Sequence, residues 1–338
     1  MGSRPLTVAI VGATGAVGVE FLRCLAERRF PVKDLRLLAS ARSAGRELSF
    51  DGKALVVQEL TEKSFDGVDI ALFSAGGAIS KRYAPIAVAA GAIVVDNSSA
   101  FRMDPEVPLV IPEINAGAIA NHKGIVANPN CAAIIAITPL WPIHQHNRIR
   151  RMNIATYQAA SGAGAAAMDE LADSTRAYLD GRSFQPKVLP HPYAFNLFSH
   201  NTAIDPETGY NDEETKVIRE LRKIFAEPEL RVTATCVRVP VLRAHSIALN
   251  VTFDRPMTPG QAREILAAGA GLKLVDDVAG NHFPMPNEAS GQDDVLVGRI
   301  REDFSDSSGR SLALFVAGDQ LLKGAALNAV QIAEMVRR

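Results

Sequence analysis

The most constraining feature of the sequence lies near its start. A β-branched apolar run, Leu6-Thr-Val-Ala-Ile-Val11, ends in Gly12-Ala-Thr-Gly15-Ala-Val-Gly18, after which Val19, Phe21, Leu22 and Leu25 recur at helical spacing. A strand that turns through glycines straight into a helix commits the following strand to run parallel to the first, because the helix carries the chain back across the sheet. Further short apolar runs at 35–39, 55–57, 70–74, 93–96 and 125–127, with a helix over 81–90, predict an α/β, doubly wound (Rossmann-like) domain with a mostly parallel sheet.

From about residue 131 the pattern changes. Longer strands are expected at 149–157, 231–239, 246–253, 295–301 and 311–316, with helices at 165–177 and 212–225, which together read as an α+β domain. The stretch 180–209 is rich in Pro, Asn and His and predicts a long surface excursion suited to a subunit contact. An amphipathic helix over 321–336 is expected to pack back on the first domain. The predicted division is therefore 1–130, completed by 319–338, and 131–318. No internal repeat interrupts it.

Charge and composition exclude several classes. Lys plus Arg number 36 and Asp plus Glu 37, for a net charge of −1, and no long basic run occurs, so nucleic acid is a poor partner. Apolar stretches such as 70–73 and 132–137 fall far short of the ~20 residues that span a bilayer, which argues against a membrane protein. Met1-Gly2-Ser3-Arg4-Pro5 has no apolar signal region, Gly2-Ser3 reads as an expression remnant, and a cytoplasmic location is expected. Cys24, Cys131 and Cys236 form an odd set without CxxC spacing, so neither a disulfide framework nor a structural zinc is expected. His144 and His146 stand two apart without carboxylates, and no metal site is assigned.

The glycine turn has its own chemistry. Gly12, Gly15 and Gly18, in a GxxGxxG spacing with Thr14, Ala16 and Val17 among them, would let the backbone approach a pyrophosphate while helix N–H groups point at it. An NAD enzyme of this architecture ends its second strand in Asp or Glu to hold the ribose hydroxyls. Here the strand ends Leu38-Ala-Ser40-Ala-Arg42-Ser43, whose hydroxyls and guanidinium suit a 2′-phosphate instead, so NADP is the expected cofactor. The alternative is an ordinary solvated loop.

Asn128-Pro-Asn-Cys131 precedes a helical apolar run, which sets Cys131 at a helix start, where the dipole favours the nucleophilic thiolate. Cys24, among Phe21, Leu22 and Leu25, reads as core packing; Cys236 shares a strand face with Arg238 and also reads as a buried thiol. His245 is expected in a loop before a strand, free to exchange protons near neutral pH. Seven histidines compete for that role, and the residues alone do not choose among them.

Taken with Asp96-Asn-Ser-Ser-Ala-Phe-Arg102, Tyr157-Gln-Ala-Ala-Ser-Gly-Ala-Gly164 and Arg238-Val-Pro-Val-Leu-Arg-Ala-His245, these motifs resemble the aspartate-β-semialdehyde dehydrogenases over the whole chain. The likeness continues through Glu213-Glu-Thr-Lys216 and Gly318-Asp-Gln-Leu-Leu-Lys-Gly-Ala-Ala-Leu-Asn328. It implies that Cys131 accepts the acyl group, that His245 is the acid/base and that Gln158 orients the substrate or thioester. It also implies that Arg238 grips an α-carboxylate, Glu213 meets an α-ammonium, Arg102 and Lys216 hold phosphate, and Asn130 contacts phosphate or an oxyanion. Ser74, Ser161, Gly162 and Gln320 would join the cofactor site. Where the family often has Asn after the Asp of the last motif, this chain has Gln320. The implied reaction is NADPH-dependent reductive dephosphorylation of L-β-aspartyl phosphate, feeding lysine, methionine and threonine synthesis. The second domain would be catalytic and would form a homodimer, with a tetramer also compatible.

Two rivals remain at this stage. An N-acetyl-glutamyl-phosphate reductase would use the same thioester chemistry on an acylated amine, for which Glu213 is a poor match. A non-catalytic nucleotide-binding paralogue would have lost part of the set formed by Cys131, Gln158, Arg238 and His245, yet all four stand.

Overall fold

A computed structural model describes residues 4–336; Met1–Ser3, where the expected remnant falls, and the last two residues lie outside the described residues. The chain divides into two compact units, 1–130 with 325–338, and 131–324.

The first unit runs β1 (Leu6–Val11), α1 (Ala16–Glu27), β2 (Val32–Ala39), β3 (Glu47–Phe50), β4 (Lys53–Val56), β5 (Gln58–Glu59), β6 (Ile70–Phe73), α2 (Gly77–Ala89), β7 (Ile93–Asp96), α3 (Pro112–Asn115) and β8 (Ile125–Ala127). Six of these strands form a parallel sheet in the order β5-β2-β1-β6-β7-β8. All six residues of β1 are buried, as a strand covered on both faces requires, which explains its unbroken apolar run. The chain order reverses beside β1, and the glycine turn opens at that switch point, where α/β sheets bind ligands.

One expectation fails here. Residues 55–57 were expected in the main sheet, but β3 and β4 pair as a separate antiparallel hairpin, and only the two-residue β5 reaches the sheet edge. The turn Asp51-Gly52, with φ of 48° and 75°, is what closes that hairpin.

The second unit runs α4 (Cys131–Ile137), α5 (Leu140–His146), β9 (Ile149–Gln158), α6 (Ala165–Leu179), β10 (Phe198–Ser199), α7 (Asp212–Ile224), β11 (Arg231–Arg238), β12 (His245–Phe253), α8 (Pro259–Ala267), β13 (Leu272–Leu274), α9 (Pro286–Ala289), β14 (Val295–Glu302) and β15 (Ser311–Gly318). Its seven-stranded mixed sheet has the order β10-β11-β9-β12-β15-β14-β13. One face carries Met152, Ile154, Ile247 and Leu249 into the core under α4, while the other leaves Asn153, Tyr157, Asn250 and Phe315 at least partly open. Among the described residues no helix is long and apolar enough to cross a membrane.

The closing α10 (Leu327–Val336) returns to the first unit. It packs on α1 and β7, and Asn328 donates to Asn128 Oδ1 at 2.6 Å and to the Val110 carbonyl at 3.0 Å. The expected single helix over 321–336 is instead a π turn, Leu322–Ala326, followed by α10; such wide turns recur at functional sites.

Candidate active site

In the first unit the glycine turn is fixed by close approach as well as by dihedral. Gly12 has φ +89°, and a Cβ there would lie 2.3 Å from the Ser74 carbonyl oxygen; at Gly18 it would lie 2.3 Å from the Gly12 oxygen. Gly15 is less confined, with its nearest neighbour at 3.3 Å. The turn therefore needs its outer glycines to bring β1, β6 and α1 together, and the result is an open cavity of about 390 Å³ lined by Gly12, Thr14, Gly15, Ser40, Arg42, Ser43 and Ser74. Ala16 and Val17 begin α1 at its rim.

Glu59, which sequence reasoning missed, lines the same cavity. On β5, it pairs with Ala39 of β2, one residue before Ser40, so a carboxylate does stand near the end of β2, supplied by a neighbouring strand. Only the pairing reveals it.

Arg102 is also in the first unit. Asp96, wholly buried at the end of β7, accepts from Ser80 Oγ and from both the amide and the hydroxyl of Ser98, and so shapes the following loop. Arg102 is 8% exposed and donates to the carbonyls of Asn128 and Asn97 at 2.9 and 2.7 Å. Asn130 is buried nearby in sequence, and the Asn97 carboxamide has no hydrogen-bond partner among the described residues.

The second unit gathers the rest. Cys131 is the first residue of α4, and its Sγ lies 3.6 Å from His245 Nε2. His245 was expected in a loop; it opens β12 and is wholly buried, because β12 pairs with both β9 and β15 from its first residues. Its Nδ1 accepts from the Ala159 amide at 3.0 Å, so a neutral ring carries its proton on Nε2, toward the sulfur. Burial, then the charge of Arg238 and the neighbouring His200, hold this imidazole well below its usual pKa.

Arg238 ends β11 at 3% exposure, and burial lowers its pKa. Its Nε donates to Asn201 Oδ1 at 3.2 Å and its Nη1 to the Ala159 carbonyl at 3.1 Å, which leaves the outer edge of the guanidinium for an incoming anion. Glu213, on the first turn of α7, is buried and accepts from Gln158 Nε2 at 3.3 Å, while its amide donates to Thr202 Oγ1 at 3.2 Å. Lys216 lies one turn along the same face, half-buried. Asn211 caps α7 through a reciprocal pair with Glu214, which fixes where that face points.

The stretch 180–209 is more than an excursion. Glu170 on α6 accepts three amides, those of Lys187, Val188 and Leu189, and the stretch then buries Leu189, Tyr193 and Phe198 against α6. Tyr193 donates to the Gln158 carbonyl at 3.4 Å, and burial pushes its hydroxyl up to about 12. His200 follows, 7% exposed, with its pKa lowered to about 4 chiefly by burial and then by Arg238. Neither residue was singled out from sequence, since nothing local marks an excursion that folds inward.

Cys236 is buried, and its thiol is pushed up to about 12 by burial, so it remains protonated, while Cys24 packs in the first unit. Gly162 lies against the site: a Cβ there would be 2.9 Å from His245 Cε1 and 3.0 Å from Arg238 Nη1. Gln320 is 2% exposed; its Oε1 accepts from the Ala244 amide at 2.9 Å and its Nε2 donates to Ser161 Oγ. Among the described residues no group of three His, Cys, Asp or Glu is placed to hold a metal.

Comparison with known proteins adds the following. Residues 7–122 match a family described as semialdehyde dehydrogenase, NAD binding domain, and residues 140–323 one described as semialdehyde dehydrogenase, dimerisation domain. A protein of Synechocystis sp. named aspartate-semialdehyde dehydrogenase is 55% identical over 332 residues, covering 98% of this chain and 97% of its own. One of that name from Bacillus subtilis is 45% identical over 343 residues, covering 99% of this chain and 98% of its own. The crystal structure of aspartate semialdehyde dehydrogenase II complexed with ASA from Vibrio cholerae superposes with a TM-score of 0.95 at 44% identity, covering 98% of both chains.

Proposed function

The chain belongs to the semialdehyde dehydrogenase family, and from that premise we propose that it catalyses the reversible, NADP-linked conversion of L-β-aspartyl phosphate to L-aspartate-β-semialdehyde and phosphate through a thioester on Cys131. The observation that supports this most is the 3.6 Å approach of Cys131 Sγ to a buried imidazole whose other nitrogen is already occupied.

The proton inventory follows from that occupancy. Nε2–H is a donor toward Sγ, which favours the thiolate, and the ring's depressed pKa keeps it neutral at neutral pH. The thiolate attacks the acyl carbon; a carbon–sulfur bond forms, the carbon–oxygen bond to phosphate breaks, and phosphate leaves with the bonding pair. A nicotinamide cofactor, when bound, supplies the hydride that takes the thioester to the aldehyde level. In both halves an oxyanion forms at the reacting carbon, and the Nε2–H of His245 is the donor available to it before it collapses, expelling phosphate in the first half and Cys131 as thiolate in the second. Covalent capture divides acyl transfer from reduction and lowers each barrier.

Arg238 pairs with the substrate α-carboxylate through its outer guanidinium edge, and Glu213, oriented by Gln158, receives the α-ammonium. A buried carboxylate at that position disfavours an N-acylated substrate, which sets the acetylglutamyl-phosphate reading aside. Arg102, Asn130 and Lys216 are assigned to phosphate from the family resemblance. Ser40, Arg42 and Ser43 supply donors for a 2′-phosphate, although Glu59 on the same wall opposes it, so the preference for NADP over NAD is expected to be moderate. The half-open face of the seven-stranded sheet is proposed as a homodimer contact, in a cytoplasmic enzyme; sedimentation analysis distinguishes dimer from tetramer and monomer.

The test is phosphate-dependent reduction of NADP by L-aspartate-β-semialdehyde, followed with wild type and Cys131→Ala. Turnover by the first and its loss in the second is expected. Equal rates, or no turnover by wild type with either NADP or NAD, refute the proposal.

A further inference from the structure

His245 is preceded by a backbone that its own residue type disfavours. Ala244 has φ +71°, a left-handed conformation that its Cβ disfavours and that glycine adopts freely. Such a conformation persists only where neighbours over-determine it.

The neighbours here are two consecutive residues at the end of β15. Asp319 is wholly buried and accepts from Arg243 Nε at 2.6 Å and from the Gly291 amide at 2.6 Å. Gln320 accepts the Ala244 amide on Oε1 at 2.9 Å and spends Nε2 on Ser161 Oγ. Directly after this turn, His245 pairs in register with Gly318. Asp319 thus holds Arg243 while Gln320 holds Ala244, and the amide of the left-handed Ala244 donates to the Gln320 carboxamide oxygen. Ser161, the other partner of Gln320, adjoins Gly162, where an added Cβ would meet both His245 and Arg238.

We propose that Gln320 is a positioning residue for His245: its carboxamide splints Ala244 in the left-handed conformation and so aims Nε2 at Cys131 Sγ. This rests on the assignment of Cys131 and His245 above and differs from a direct contact between Gln320 and the nicotinamide, since its oxygen accepts from the Ala244 amide and its nitrogen donates to Ser161 Oγ.

Gln320→Met keeps the buried volume and removes the acceptor. Loss of the splint is expected to lower kcat/KM by about 10- to 100-fold, equivalent to about 1.4–2.7 kcal/mol of transition-state stabilisation. Glycine adopts φ +71° freely, so Ala244→Gly added to Gln320→Met should recover most of the loss. Ala244→Val, with Gln320 intact, should shift the site in the same direction as Gln320→Met.

Two readouts separate this from a cofactor contact or a merely structural role. The first is the pH dependence of Cys131 alkylation by iodoacetamide in the cofactor-free protein, made with Cys24 and Cys236 replaced by alanine. Its inflection should move in Gln320→Met and in Ala244→Val and return in Gln320→Met/Ala244→Gly. The second is NADP affinity by titration, which should stay within about twofold throughout; thermal scans establish that each variant folds. An unmoved alkylation profile in either single variant, or no recovery with glycine, overturns the proposal. If wild type fails to oxidise L-aspartate-β-semialdehyde while the alkylation profiles behave as stated, the assigned substrate is wrong and the splint stands.

Discussion

Gly162→Ala isolates how tightly the site is packed. Gly162 does not need a left-handed backbone, so alanine is conformationally acceptable and the consequence is purely steric. The new methyl would lie 2.9 Å from His245 Cε1, 3.0 Å from its Nε2 and 3.0 Å from Arg238 Nη1, whereas ordinary contact begins near 3.4 Å. Each group must therefore retreat by about half an ångström. His245 has little room to do so, being wholly buried and tied through Nδ1 to the Ala159 amide. Misplacement by ~1 Å costs about 100-fold in rate, so half of that, applied to both residues, should lower kcat/KM by about 10- to 100-fold. Stability should barely change, because the backbone-entropy gain of Gly→Ala, about 0.4–1 kcal/mol, offsets the crowding. The assay is initial-rate NADP reduction with phosphate and L-aspartate-β-semialdehyde, alongside chemical denaturation and NADP titration. Gly164→Ala is the opposite control: φ +95° and ψ 178° admit essentially glycine alone, yet no atom lies within 4 Å of the added methyl. That variant should lose about 1–3 kcal/mol of stability and keep kcat/KM within about threefold. A fully active Gly162→Ala protein would refute the packing argument.

Arg238→Lys keeps the charge but cannot reproduce bonds to Asn201 and the Ala159 carbonyl, and kcat/KM should fall by about 100-fold or more; steady-state kinetics with varied semialdehyde would show it. Cys236→Ala should retain kcat within about threefold, since a thiol pushed up to about 12 is not the nucleophile; substantial loss would reopen its role. His245 and His200 both bind protons less readily folded than unfolded, so stability is full above the unfolded pKa near 6.5 and falls as pH drops below it. Urea midpoints between pH 7 and 5 should register a loss of up to about 4 kcal/mol for the pair, at roughly 1.4 kcal/mol per pH unit for each ring. A flat profile would show that one or both rings are solvated.

The parallel sheet and the glycine turn were legible because a strand buried on both faces is apolar throughout, and because a close approach leaves glycine as the residue that fits. The β3–β4 hairpin was misassigned since residues 55–57 alone do not say which edge they pair with. Cys131 was legible from its helix start. His245 was found through its motif, but its burial was not, because burial comes from two partner strands distant in sequence. Glu59, Tyr193, His200 and Asn201 were invisible for the same reason: each acquires its surroundings through a pairing or a fold-back that no local pattern encodes.

The first unit is discontinuous, and its α10 piece is made only after the whole of the second unit. Asn328 supplies hydrogen bonds to Asn128 and Val110, and α10 covers α1 and β7, so the nucleotide-binding core stays unfinished during translation until residues 325–336 have emerged. The intervening unit, contiguous from 131 to 324, can close first. A ribosome stalled anywhere before residue 325 would thus hold a nascent chain whose sheet has an uncovered flank, a natural substrate for chaperones, and loss of α10 would injure the strands encoded some two hundred residues before it.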